Sequence, residues 1–340
     1  MQARRAVAYA PRTLEWEAID LPDTPPPGKL LIETRATLIS TGTELANWTA
    51  ITADRTGMST DWRDKPFRPG YSLVGTVLAV GAGLEGWRPG TRVSGAGSHA
   101  SAVLLDAARC VAVPDGVSDE AATFGTLGPI ALNGVRRATL ALGECVAVVG
   151  LGLIGQLAGL WARLDGARPV VGVEPIERRR NLARAVGFDT ALDPGDDATL
   201  WQEVARWTDA RGFDVVLEST GHPSALVPAL LLATREGRVV ALGSTRGTID
   251  QFDVYKEIHQ RGVTLIGAHA NTHPAHANAA NRWTEPANRA LTLQYIASGE
   301  LPVQRLISHR VPADQAPAMF QLLADHRDEA MGVVLQWTQA

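Results

Sequence analysis

Along the first 115 or so residues the apolar positions come in short runs, "KLLIETRATLI", "LVGTVLAVG", "TRVSGAG" and "SAVLL", cut by turn-rich clusters such as "LPDTPPPGK" and "GWRPG". Runs of that length between Pro and Gly clusters predict the antiparallel strands of a β-barrel-like domain. The N-terminal "MQARRAVAYAPRTLEWE" continues the pattern as a first strand, because Arg12, Glu15 and Glu17 interrupt it before the apolar core of a signal peptide could form. From Thr52 to Pro69 the chain is polar and predicts a long loop over a site, since structureless loops of that length usually serve function.

The rhythm changes near Ser118. "SDEAATFGTLGPIALNGVRRATL" sets a Ser cap and two acidic residues ahead of an apolar face at helical spacing. Strands "CVAVVG", "PVVGVE", "FDVVLEST", "GRVVALGS" and "VTLIGA" then alternate with helices "IGQLAGLWARLDG", "IERRRNLARAVG", "LWQEVARWT" and "SALVPALLLATR". Strands alternating with helices predict a parallel, doubly wound sheet, so the fold class is α/β. The pattern fades in the polar "HANTHPAHANAANRW", after which a helix over Arg289 to Ser298 and a strand "GVVLQW" close the chain. The expected division is 1–120, 121–268 and 269–340, the last segment returning to the first domain.

Composition narrows the function classes. The 340 residues are 45% hydrophobic and 20% charged, enough for two sizeable cores, and the net charge of -4 offers no basic field for nucleic acid or acidic membranes. No apolar run reaches the roughly 18 residues needed to span a bilayer. Two cysteines, Cys110 and Cys145, are too few for a disulfide framework, and both sit in apolar surroundings as small buried hydrophobes. This is the profile of a cytoplasmic protein.

The strongest local signal is Gly150-x-Gly152-x-x-Gly155, directly after a strand and opening a helix. Gly150 permits the tight turn, Gly152 a close backbone approach to a pyrophosphate, and Gly155 close packing of helix on strand. The helix then presents free N–H groups to phosphate. Glu174 ends the next strand, where a carboxylate accepts ribose hydroxyls and repels a 2′-phosphate, which favours NAD over NADP. Arg178, Arg179 and Arg180 follow; one of them, Arg179 among them, is placed to meet adenine or a phosphate, and a solvated helix face is the alternative.

Together these blocks resemble the medium-chain dehydrogenase/reductase superfamily over essentially the whole chain, with "RPGYSLVGTVLAVGAGLEGWRPGTRV" and "FDVVLESTGHPSALVPALLLATREGRVVALGS" carrying the likeness. The resemblance implies a GroES-like β-rich catalytic domain plus a Rossmann domain. It extends the cofactor contacts to Leu153, Ile154, Ser219, Thr220, Gly243, Ser244, Gly267 and Ala268, with "VTLIGAHA" similar to the strand whose backbone holds the nicotinamide carboxamide. Zinc-dependent members carry Cys and His where this chain has Thr41 and Ala46, Gly-His-Glu where it has Gly70, Tyr71 and Ser72, and Cys where it has Thr126. Hydroxyls are poor ligands for Zn²⁺, and two cysteines cannot build the family's four-Cys structural zinc lobe, so no metal is expected, catalytic or structural. "STGTE" with "PGY" resembles a zinc-free branch that includes bacteriochlorophyllide-type dehydrogenases.

Without a metal, a hydrogen-bond donor must neutralise the alkoxide that develops during hydride transfer. Thr43 falls at the family's proton-relay position, Tyr71 at a former ligand position, and His99 on a strand that borders the family's substrate cleft. For each, a plain structural role is the alternative, and Glu44 either orients Thr43 or the cofactor or is an ordinary loop carboxylate. His222 is expected to cap a helix, and His273 and His276 to lie in a solvated loop. Trp48, Trp62 and Trp283, with Asn47, Asn271 and Asn278 and the nearby His269, suggest a lining for a sugar- or cyclitol-like substrate, although Trp in a core or subunit interface is equally ordinary. The expectation is a zinc-independent, NAD(H)-dependent alcohol dehydrogenase or ketone reductase acting on a small molecule, as a homodimer or homotetramer. The alternatives are an enone or quinone reductase using NAD(P)H, and a nucleotide-bound protein without catalysis.

Overall fold

The structure, a computed structural model, describes residues 1–51, 65–250, 252–274, 276–279 and 281–337. Most of the loop expected from Thr52 to Pro69, with Trp62, lies outside the described residues. The chain forms two compact units, residues 1–129 with 274–340, and residues 130–273. The division falls within the helix Phe124–Ala138 and after the turn that follows the last parallel strand.

In chain order, β1 (Gln2–Val7) and β2 (Glu15–Asp20) form an antiparallel hairpin. They are followed by β3 (Lys29–Leu38), α1 (Thr43–Trp48), β4 (Leu73–Val80), β5 (Arg92–Gly95), β6 (Ala102–Asp106), β7 (Val111–Ala112), α2 (Asp119–Ala122) and α3 (Phe124–Ala138). Next come β8 (Val146–Val149), α4 (Leu153–Leu164), β9 (Val170–Val173), α5 (Glu177–Val186), β10 (Thr190–Leu192), α6 (Asp197–Thr208), β11 (Phe213–Glu218), α7 (Leu226–Leu232), β12 (Ala233–Ala241) and β13 (Thr264–Gly267). The return comprises α8 (Glu285–Ala297), β14 (Ile307–Pro312), α9 (Ala316–Asp325) and β15 (Gly332–Gln336).

In the first unit the sheet runs β14-β15-β3-β4-β5-β7, with β6 also paired to β3. The long β3 is its spine: Leu30, Ile32, Leu73, Val77 and Val93 form one core, and Ile39, Leu45, Trp48, Phe320, Val333 and Leu335 another. At about 1.5–3 kcal/mol for each large apolar side chain buried, these clusters supply the main stabilisation of the unit. The second unit is a six-stranded parallel sheet in the order β10-β9-β8-β11-β12-β13, the doubly wound order with its switch between β8 and β11.

Local signals and pairing disagree in two places. The helix expected over "SALVPALLLATR" is cut to Leu226–Leu232, because Ala233 already pairs with Phe213 and the chain enters β12. Strand pairing there outweighs the helical preference of the Ala- and Leu-rich run. The helix expected from Arg289 instead begins at Glu285, where Thr284 caps it by accepting the Ala287 amide at 3.3 Å and Pro286 fits the first turn. No helix among the described residues is long and apolar enough to cross a membrane.

Candidate active site

The opening of α1 organises the first unit's polar centre. Glu44, the second residue of α1, is 2% exposed; its Oε1 accepts the Ser40 amide at 2.9 Å, and its Oε2 lies 2.9 Å from His99 Nε2. His99 is fully buried, its ring edge-on to Phe320, and its Nδ1 lies 2.8 Å from Thr37 Oγ1. Trp337 Nε1 donates to the same Thr37 hydroxyl at 3.1 Å. An indole can only donate, so the Thr37 hydroxyl accepts from Trp337 and links it to the His99 ring. His99 was expected as an acid/base beside the substrate, but it is enclosed with both nitrogens engaged. It holds Glu44, and Glu44 holds the Ser40 turn rather than Thr43.

Tyr71 reaches the other side of Ser40: its hydroxyl donates to Ser40 Oγ at 2.5 Å, and the ring is half-buried. Gly70 makes this approach feasible. Its φ is +106°, and a Cβ there would stand 2.2 Å from the His99 amide nitrogen, which itself donates to Pro69 O at 3.0 Å. Thr43 opens α1 half-buried, and none of the described residues engages its hydroxyl. The Tyr71–Ser40 hydroxyl pair therefore lies next to a buried Glu44–His99–Thr37–Trp337 network, which meets it at the Ser40 amide.

The residues at the family's ligand positions are not a metal-binding set. Thr41 and Ala46 are half-buried, Tyr71 bonds Ser40, and Thr126 accepts from Arg289 Nη1 at 3.2 Å. Arg289 is fully buried and also pairs with Glu285 at 2.5 Å. Among the described residues no three His, Cys, Asp or Glu side chains converge as a metal site.

In the second unit the Gly turn fits a dinucleotide. Gly150 has φ +84°, and a Cβ on Gly155 would fall 1.9 Å from Gly150 O. Gly152 caps α4 without a side chain, so the Leu153 and Ile154 amides meet no acceptor among the described residues and point outward as a phosphate cradle. Glu174, 3% exposed, braces the turn: Oε2 accepts the Leu151 amide at 2.7 Å and Oε1 the Ile176 amide at 3.1 Å. Arg179 Nη1 stands 3.8 Å from that carboxylate. Arg180 is no solvated residue, because it donates to Glu174 O at 2.7 Å and Pro175 O at 2.6 Å and pairs with Asp193 at 2.9 Å.

The side chains of Ser219 and Thr220, both expected among the cofactor contacts, are engaged within the protein. Ser219 Oγ donates to Gly150 O at 2.6 Å, and Thr220 Oγ1 donates to Glu218 while accepting the His222 amide at 3.0 Å. Gly243 packs so tightly that a Cβ would fall 2.5 Å from Gly221 N. Ser244 and Gly267 are exposed, and Ala268 is buried with its amide on Ala241 O at 3.1 Å.

Of the substrate candidates, Trp48 is corrected: it is 1% exposed, packs edge-on against Phe320 and donates its indole N–H to Thr13 O at 2.7 Å. It is a core residue. His269 and Asn271 are exposed in the second unit, the His269 Nδ1 accepting the Asn271 amide at 3.2 Å. Trp283 is half-buried under the Arg282 guanidinium, and His222 stands at the N-cap of the short helical turn Pro223–Ala225 with its ring 2.7 Å from Ser224 Oγ and no side-chain cap bond. Ser40, Thr37, Trp337 and Glu218 escaped sequence reasoning. Ser40 lies inside the "STGTE" motif and Glu218 immediately before Ser219, but Thr37 and Trp337 meet only through the β3–β15 pairing.

Two family models match the chain: an "Alcohol dehydrogenase GroES-like domain" over residues 26–148 and a "Zinc-binding dehydrogenase" over residues 154–285. D-guloside 3-dehydrogenase of Escherichia coli (strain K12) is 28% identical over 267 residues, 77% of this chain and 75% of the relative. L-threonine 3-dehydrogenase of Pyrococcus furiosus is 28% identical over 345 residues, 90% of each chain. An E. coli oxidoreductase/dehydrogenase of unknown specificity superposes with a TM-score of 0.85 at 17% identity, covering 100% of both chains.

Proposed function

We propose that the chain, a member of the medium-chain dehydrogenase/reductase superfamily and an oxidoreductase of CH–OH groups, is a secondary-alcohol dehydrogenase that uses NAD, needs no zinc and oxidises a polyhydroxylated, sugar- or cyclitol-like substrate. The observation that carries this reading is the Tyr71–Ser40 hydroxyl pair: Tyr71 stands at a ligand position of zinc-dependent relatives, and Thr41, next to Ser40, at another.

A nicotinamide nucleotide held at the Gly150–Gly155 turn would supply the hydride acceptor. The protein's task is to hold the reacting oxygen and manage its proton. With substrate present the Tyr71–Ser40 bond reverses, Ser40 donating to the phenol oxygen, so that Tyr71 gives its one hydrogen to the substrate oxygen as negative charge grows there. Thr43 offers a second hydroxyl to substrate or ribose. The proton leaves through these hydroxyls to solvent, because Glu44 meets Ser40 at a backbone amide, which is no proton path. Glu44 and His99 therefore position the site and do not relay.

Glu174 supports NAD, since a 2′-phosphate would meet a carboxylate that the turn cannot release without losing the Leu151 and Ile176 bonds. The relative named for D-guloside supports a polyhydroxylated substrate. The buried free cysteines, Cys110 and Cys145, support a cytoplasmic setting, and the outer edge of β13 supports a homodimer by sheet extension.

The test is a screen of NAD reduction against sugars, cyclitols and simple alcohols, with NADP in parallel. We expect turnover on a polyhydroxylated secondary alcohol with NAD. Tighter NADP binding would overturn the Glu174 argument, and alkene reduction without alcohol oxidation would point to an enone reductase.

A further inference from the structure

Glu218 ends β11 at the centre of the parallel sheet, between Val149 of β8 and Ala241 of β12. It is fully buried. Its Oε1 accepts the Thr220 amide at 2.7 Å and the Thr220 hydroxyl, and its Oε2 accepts the Thr245 hydroxyl at 3.1 Å. Its main-chain oxygen takes the Leu242 and Gly243 amides at 2.9 and 2.8 Å. One residue thus ties the turn after β11 to the turn after β12.

The charge is what the known roles of this region leave unused. No cation among the described residues lies within ion-pair distance of Glu218, so its carboxylate is held by neutral donors alone. A buried carboxylate without a counter-charge is costly, and the protein keeps it at the carboxyl end of the sheet, where doubly wound folds bind their ligands. The sheet order assigns the two halves of a dinucleotide. The Gly150 turn and Glu174 lie at the ends of β8 and β9, so the other half belongs to the ends of β11 and β12. An oxidised nicotinamide ring carries one positive charge, and the reduced ring carries none.

We infer that Glu218 is the buried counter-charge that makes this enzyme hold the oxidised nicotinamide cofactor more tightly relative to the reduced one, while its hydrogen bonds position the two turns. This rests on the reading of the second unit as a nicotinamide-nucleotide site. Removing the charge must then change the ratio of the two affinities, whereas removing only a brace weakens both forms alike.

The experiment measures NAD⁺ and NADH dissociation constants by calorimetry and NADH fluorescence, without substrate, for the native enzyme, Glu218→Gln and Thr245→Val. Glu218→Gln keeps the shape and is expected to weaken NAD⁺ on the order of tenfold while changing NADH by no more than about twofold. Thr245→Val removes a donor from Oε2 and leaves the charge less compensated, so the NADH-to-NAD⁺ ratio of dissociation constants rises instead of falling. Equal loss of both nucleotides in Glu218→Gln, or an unchanged ratio in Thr245→Val, overturns the inference. A native enzyme that binds neither nucleotide defeats the cofactor reading itself, a result distinct from native affinity with an unresponsive ratio.

Discussion

At the residue scale the account turns on which groups touch a reacting oxygen and which only hold others in place. Tyr71 is half-buried with its hydroxyl on Ser40, so Tyr71→Phe removes a donor without opening a cavity. It is expected to lower kcat on the order of 100-fold and leave NAD binding unchanged, as read by steady-state kinetics beside a binding titration. Unchanged turnover would take the phenol out of the chemistry. A second residue, Glu17, tests stability: Arg68 and then Arg5 hold its carboxyl below the usual range, against the opposing effect of burial. A depressed folded-state value adds stability above the unfolded pKa and loses it as pH falls through the folded value. Glu17→Gln should therefore cost stability at neutral pH, and in urea titrations the gap to native protein should close in acid below about pH 4. A gap that persists in acid would assign Glu17 a role other than its charge.

At the element scale, the Gly turn before α4 is the sharpest sequence-to-structure correspondence. A Cβ on Gly155 collides with Gly150 O at 1.9 Å and Ser219 Oγ at 2.6 Å. Gly155→Ala should therefore raise the NAD dissociation constant by at least tenfold or unfold the second unit, separable by circular dichroism and titration on one sample. Parallel strands and the Gly turn were legible because each rests on local spacing, whereas the bracing of that turn by Glu174 was not. The Glu44–His99 pair was not, since it joins residues 55 apart through the close pass that Gly70 permits. Trp48 shows the opposite failure. A Trp beside a motif invites a substrate role, but its place on the inner face of α1 puts it in the core with Phe320 and Leu323. The start of β12 was misjudged because helical preference is local and strand pairing is not.

At the scale of the whole molecule, each unit has its own hydrogen-bond network: the second has a helix start without a side-chain cap, and the first the Tyr71–Ser40 hydroxyl pair, which on the proposed reading takes the place of a Lewis acid. The decisive measurement combines metal analysis with activity on one sample: zinc content by elemental analysis and alcohol-dependent NAD reduction, before and after exhaustive chelation. The account predicts full activity with substoichiometric zinc. Activity that disappears on chelation and returns with added Zn²⁺ would contradict it.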